Sequence, residues 1–226
     1  MTVAAVVLAI TPSVALANAA GVPRVRRIVD TAWSGGAMPI VVLAPDPDGA
    51  MATALAGAPV TLAAPAPMEG GRVAQFLRGI EVAVAEVRGT SGVLIWPARM
   101  SWVGPETITS LVEAHGPDPE ALLRPAFHGQ TGWPALVPLT AFDALRALPI
   151  TSTPDQLVEL LGSSGAMRTR TIDLGDPGTI LDGDTRREDL PPYEGPAAPA
   201  DGRSREWGAA VAATPDDAPL EGPERA

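Results

Sequence analysis

The chain has 226 residues and a net charge of −10, with 46% hydrophobic but only 4% aromatic residues. It is long enough for one α/β domain of about 190 residues, with a core built from Val, Leu, Ile and Ala. No cysteine is present, which excludes disulfides, thiolate metal sites and cysteine nucleophiles; all 16 basic residues are arginine, so no lysine chemistry is available, and the acidic balance argues against nucleic acid or an anionic membrane surface as partner.

Residues 1–20 are apolar and end in Ala17-Asn18-Ala19, a small-x-small pattern like that of a secretion signal. No positive charge precedes the run and Pro12-Ser13 interrupts it, so it reads as a buried strand, Val3–Ala9, followed by a loop, in a cytoplasmic protein. Further strands are expected at Pro39–Ala44, Pro59–Leu62, Val93–Trp96 and Thr169–Leu174, short apolar runs suited to burial on both faces. In Gly71–Arg88, Val73, Phe76, Leu77, Ile80, Val84 and Val87 fall on one helical face. A second helix starts at Pro105 and stops before Gly116, and a short one, Thr140–Leu148, is ended by Pro149. Thr153-Pro154-Asp155-Gln156 is a capping box that opens a helix through Leu157–Leu161. This alternation predicts a three-layer α/β/α sandwich with a mostly parallel sheet over residues 1–190. From Pro191 to Ala226 the composition turns to Pro, Ala, Gly and acidic residues, seven acidic against three arginines, −4 of the chain's −10. That segment is expected to be a disordered tail, with Trp207 its one tryptophan. No run is long and apolar enough to span a membrane.

The residues with the clearest chemical potential are Asp182 and Asp184. Carboxylates at i and i+2 on an extended segment point the same way, as two oxygen ligands of a magnesium ion do. The same Asp-Gly-Asp-Thr also reads as a turn capping a helix at Arg186–Leu190. His115 reads as a helix C-terminal residue, and His128 stands in a glycine-containing loop with no second histidine near it in sequence. Arg24, Arg26 and Arg27 read either as an anion-holding group or as the solvated face of a helix. No serine has the context of a nucleophile elbow.

Read together, five segments resemble the MobA-like nucleotidyltransferases, notably the molybdenum cofactor cytidylyltransferase branch. They are Gly21-Val22-Pro23 with Val25, Ile28 and Val29; Glu69-Gly70-Gly71 with Leu77-Arg78-Gly79-Ile80; Leu94 to Met100 with Val103-Gly104-Pro105-Glu106-Thr107; Arg124-Pro125 with Gly129 to Pro134; and Asp176-Pro177-Gly178 through Leu190. The resemblance implies magnesium held between the end of one strand and the closing element, a nucleotide at the loop after the first strand, and an acceptor pocket at Gly132 and Trp133.

The departures from the family pattern fall on its working residues. Of the phosphate loop only Leu8, Ala9 and Ser13 match, and no lysine follows. Arg99 stands where the family has its first metal-binding aspartate, and Trp133 where it has histidine. The resemblance therefore implies a degenerate homologue in which catalysis is weak or lost. Such a protein is expected to bind a nucleotide, a pterin cofactor or a protein partner in molybdenum-enzyme maturation. The alternatives are an active nucleotidyltransferase with a rearranged loop, or an interaction module acting through its acidic tail. At the site itself, Arg99 is expected to pair with Asp182 or Asp184 and substitute for the cation.

Overall fold

Strand β1, Thr2–Leu8, is a run of Val and Ala in which every interior residue is buried, the pattern of a strand covered on both faces. The computed structural model of the protein describes residues 2–163, 165 and 167–196. After β1 come a four-residue helix, α1 (Pro12–Ala15), a small hairpin of β2 (Asn18–Ala19) and β3 (Val22–Pro23), and helix α2 (Arg24–Ser34). The chain continues through β4 (Ile40–Leu43), α3 (Ala50–Ala54), β5 (Thr61–Ala63), α4 (Gly71–Glu86), β6 (Thr90–Pro97) and α5 (Pro105–His115). The last elements are β7 (Leu122–Phe127), β8 (Gln130–Thr131), β9 (Ala135–Pro138), α6 (Phe142–Arg146), α7 (Pro154–Ser163) and β10 (Thr169–Asp173).

The main sheet runs β10-β7-β9-β6-β1-β4-β5, with β8 paired to β7. All pairs are parallel except those made by β9 and by the β7–β8 hairpin. Helices α4 and α6 pack together on one face, and α2 and α5 on the other. The α4 face is set by Gly79, whose missing side chain lets the helix backbone lie against Val6 and Leu43. Trp96, Phe76, Ile28 and Leu111 are fully buried between the layers.

The capping box opening α7 is formed in both directions, with the Thr153 amide donating to Gln156 Oε1 at 2.8 Å and the Gln156 amide donating to Thr153 Oγ1 at 3.2 Å. Near Arg186–Leu190 there is only a single 3-10 turn, Arg187–Asp189, and neither Asp182 nor Asp184 caps it. The compact unit reaches Pro196, past the composition break at Leu190. Glu194 ties that last stretch down, through its amide to the Gly175 carbonyl at 2.9 Å and its carboxylate to His128 at 2.9 Å. Trp207 and the rest of the tail lie outside the described residues. Among the described residues no helix is long and apolar enough to cross a membrane.

Candidate functional site

At the C-terminal edge of the parallel sheet the chain leaves β1 and opens a cleft. Two adjoining cavities of about 270 and 350 Å³ share Ile10, Arg72, Gln75 and Pro154. Leu8, Ile10 and Val14 supply its apolar wall, the end of β6 supplies Pro97 to Arg99, and the start of α7 supplies Pro154 and Asp155. Arg72 projects from the first turn of α4. Gln75, 2% exposed, exchanges both hydrogen bonds with the backbone of Ala66 at 2.9 Å and fixes the loop after β5.

The loop after β1 is not arranged as a phosphate cradle. Pro12 has no amide hydrogen, Val14 and Ala15 donate to the Thr11 carbonyl, and Leu16 donates to that of Pro12. Ala9 donates to Leu43 at 2.9 Å. The helical turn α1 thus uses the amides of Val14, Ala15 and Leu16 internally, where a phosphate loop would aim its amides at a ligand. Of the three residues expected here, Leu8 lines the cleft, Ala9 is buried, and Ser13 is exposed outside the lining.

Arg99 leaves the end of β6 toward the cleft. Its Nη2 lies 3.5 Å from Asp155 Oδ2, and its Nη1 lies 3.6 Å from the sulfur of Met100. Asp155 Oδ1 accepts from the indole Nε1 of Trp133 at 2.8 Å. Trp133 is 3% exposed, and the guanidinium of Arg124 stacks on its ring at 5.4 Å. Arg124 donates through Nε and Nη2 to the Gly132 carbonyl at 3.1 and 2.9 Å. Burial pushes its pKa down, while Asp155 and Glu159 push it back up. Gly132 has no room for a side chain, because a Cβ there would strike the Thr179 carbonyl. The expected acceptor residues Gly132 and Trp133 are therefore buried parts of a bracket joining β7, α7 and the closing element. Trp133 reaches the cleft only through Asp155.

The expected pairing of Arg99 with Asp182 or Asp184 is not what the structure shows. The backbone carbonyl of Arg99 faces the closing loop and accepts the Gly183 amide at 2.6 Å, so the side chain leaves on the cleft side. Asp184 is instead held by Arg24, Nη2 to Oδ1 at 2.7 Å. Asp182 Oδ1 accepts the Asp184 amide at 3.0 Å, which closes a local turn. Gly183 lies against the Arg24 guanidinium and Ser101 Oγ, and the buried Arg24 Nε and Ser101 Oγ have no hydrogen-bond partner there.

These residues do not fit magnesium. One carboxylate is neutralised by a guanidinium, and neither aspartate lines the cleft. Among the described residues no group of three or more His, Asp or Glu side chains is placed to hold a metal ion.

Residues 14–166, more than half of the chain, match the model of the MobA-like NTP transferase domain. The chain belongs to this family. Solved structures agree on the fold. The manganese complex of Rv0371c from Mycobacterium tuberculosis H37Rv matches with a TM-score of 0.58 at 22% identity, over 77% of this chain and 88% of that one. The 2-C-methyl-D-erythritol 4-phosphate cytidylyltransferase of Thermus thermophilus matches at 0.59 and 16%, over 84% and 96%. A CMP:2-keto-3-deoxy-manno-octonic acid synthetase complexed with CTP matches at 0.57 and 13%, over 80% and 91%. No curated protein matches the chain in sequence.

In this MobA-like domain, two residues that sequence reasoning undervalued organise the site. Asp155 registered only as part of a capping box, although an acid in the first turn of a helix that ends at the cleft is itself a signal. In sequence, Arg24 is indistinguishable from its neighbours Arg26 and Arg27. The three separate in the structure: Arg26 pairs with Asp30 at 2.9 Å, Arg27 reaches the Ser101 carbonyl at 3.0 Å and lies 5.0 Å over the Trp102 ring, and Arg24 is buried. Burial pushes the Arg27 pKa down, and the positive charge of Arg187 adds to that.

Proposed function

We propose that this MobA-like domain binds a small ligand with one anionic group in the cleft and does not transfer nucleotidyl groups. The observation that carries this reading is the state of the loop after β1, where the turn of α1 uses the amides of Val14, Ala15 and Leu16 and Pro12 has none to offer. In-line attack at an α-phosphate depends on positioning and on charge compensation. Those means are missing where the family would keep them. Two arginines, Arg72 and Arg99, face one carboxylate, Asp155, so the cleft offers a small positive excess beside an aliphatic wall. That balance suits one phosphate or carboxylate on a flat heterocyclic body and is far from matching a triphosphate. A nucleoside monophosphate or a pterin-type molecule has this chemistry, and a role in molybdenum-enzyme maturation is consistent with the resemblance.

The test is a thermal-shift series on the full chain with CMP, GMP and AMP beside CTP, GTP and ATP, with and without magnesium. A ligand at a hundredfold excess over its Kd adds about 2.7 kcal/mol to the folded state. Monophosphates are expected to raise Tm at least as much as the magnesium triphosphates. Pyrophosphate release from any triphosphate with a pterin acceptor, at a turnover above about 0.1 per second, would establish the active-enzyme reading instead.

A further inference from the structure

A second cavity lies away from the cleft, on the flank of α7. It is a groove of about 510 Å³ between that helix and the paired strands β7 and β10, the latter at the sheet edge, within the size range of small-ligand sites. The register explains its lining. Leu122 is paired with Thr169 and Arg124 with Thr171, so these four side chains share one face of the parallel pair. Val158 and Glu159 of α7 form the opposite wall, and Thr131 of β8 closes one end. Gly162 keeps the groove open, since a Cβ there would stand 2.5 Å from the Thr169 hydroxyl.

Most polar side chains of this groove are exposed to solvent and have no hydrogen-bond partner among the described residues. The hydroxyls of Thr131, Thr169 and Thr171 and the carboxylate of Glu159 make no hydrogen bond or salt bridge among the described residues. Arg124 is 7% exposed, commits Nε and Nη2 to the Gly132 carbonyl, and keeps Nη1 without an acceptor. Nη1 is solvent-accessible rather than a buried orphan, so it stands at the groove wall as a donor that a ligand can use.

We propose that this groove binds a neutral polyhydroxyl molecule of monosaccharide size. Three features choose that class. The charges of Arg124 and Glu159 cancel, so no net anion or cation is selected. The side fork of Arg124 is spent on Gly132, leaving a single-point donor that suits a hydroxyl oxygen better than a carboxylate. Hydroxyl ligands donate to Glu159 and accept from Arg124 while exchanging either role with the threonines.

The experiment is an amide NMR titration of the full chain with D-ribose, D-glucose and myo-inositol, with inorganic phosphate as an anionic and glycine as a zwitterionic comparator. At least one of the three polyols is expected to shift the amides of Gly162, Thr169 and Thr171 saturably, with a Kd on the order of 1 mM. Thr171→Val and Glu159→Gln replace exposed groups by near-isosteres and leave the fold intact. Each is expected to weaken that polyol by at least about fivefold, the worth of one hydrogen bond. CMP shifts at Leu8 and Ile10 in the cleft should be unchanged by either substitution. The inference is overturned if none of the polyols moves those amides, if phosphate or glycine moves them and the polyols do not, or if both variants bind as the parent does.

Discussion

The guanidinium of Arg24, 8% exposed, meets the carboxylate of Asp184, 83% exposed, at 2.7 Å, and ties the closing loop to the first residue of α2. The pair is lopsided, because water can solvate Asp184 alone but cannot reach much of Arg24. Removing the acid should therefore cost more than removing the base. Asp184→Ala leaves a buried charge whose Nε already lacks a partner, at a cost of about 1–3 kcal/mol. Arg24→Met keeps the apolar stem, removes the buried charge and should cost less. The double variant should then match Arg24→Met alone. Urea midpoints at constant slope measure all three, and a silent Asp184→Ala would show that the contact does not anchor the loop.

Legibility of the sequence tracked how local each cause was. Strands β1, β4, β5 and β6 of the parallel half were readable because apolar runs at those places have no other use, whereas β10, expected to be buried on both faces, is a largely exposed edge strand of Thr, Arg, Ile and Asp. Helices α4, α5 and α7 were readable because their apolar period and caps are contained within one segment. Strand β7 was not, because Leu122-Leu123-Arg124-Pro125 carries a proline and an arginine that argue against a central strand. In the structure β7 meets β9 at one pair, Leu123 with Leu136, so Pro125 falls beyond it, and its carbonyl accepts the Gly132 amide. The partner of Arg99 was unreadable for a similar reason. Its position beside the closing element is real, but the direction of its side chain depends on a backbone hydrogen bond to Gly183 that no local pattern encodes.

Asp155 holds two residues of the site at once, Trp133 through Oδ1 and Arg99 through Oδ2. The two contacts differ in weight. The indole is buried and the bond is 2.8 Å long, whereas the ion pair spans 3.5 Å between half-exposed groups. Asp155→Ala should cost about 1–3 kcal/mol by leaving the indole N–H unmet. Asp155→Asn keeps an acceptor for Trp133 and should recover most of that. What Asn cannot restore is the pairing with Arg99, worth about 0–1 kcal/mol at such exposure. Equal losses for the two variants in chemical denaturation would place the weight on the ion pair instead.

His115 closes α5 and is 1% exposed, with Nε2 3.0 Å from Ser91 Oγ and Nδ1 without a partner. Burial depresses its pKa below 6.5, and Asp118 offsets only part of that. The folded protein therefore binds this proton less readily than the unfolded chain does. Stability from a neutral His115 is complete above about pH 6.5 and is lost as pH falls from there through its lower folded value. The prediction is a decline in Tm between pH 7 and 5 that is steeper in the parent than in His115→Gln, which cannot titrate. Parallel curves would show that His115 charges in the fold without penalty.

Asp176 is the buried acid of the closing element, 4% exposed, and it is fully used. Oδ2 accepts from the Gly104 amide at 2.9 Å and from Thr107 Oγ1 at 2.6 Å, and Oδ1 accepts from the Gly178 amide at 2.8 Å. Gly104 and Thr107 belong to the N-terminal turn of α5, so the carboxylate caps that helix from a distant segment and faces the positive end of its dipole. Gly178 in turn packs its bare Cα against the Trp102 backbone, which fixes the element in place. Every neighbour of Asp176 is a donor. Asp176→Asn must aim its amide N–H₂ at one of them, so the isosteric change is not conservative here. We expect Asp176→Asn to lose about 2–4 kcal/mol, combining a lost charge-assisted bond with a donor facing a donor. Thr107→Val removes one bond without adding a repulsion and should lose only about 1 kcal/mol. The comparison is made by urea denaturation, with amide exchange at Gly104 and Gly178 as the local readout. If Asp176→Asn proves as mild as Thr107→Val, the carboxylate's charge has no part in seating α5, and the closing element is held by its backbone hydrogen bonds, the Arg24–Asp184 pair and the packing at Gly178 and Gly132.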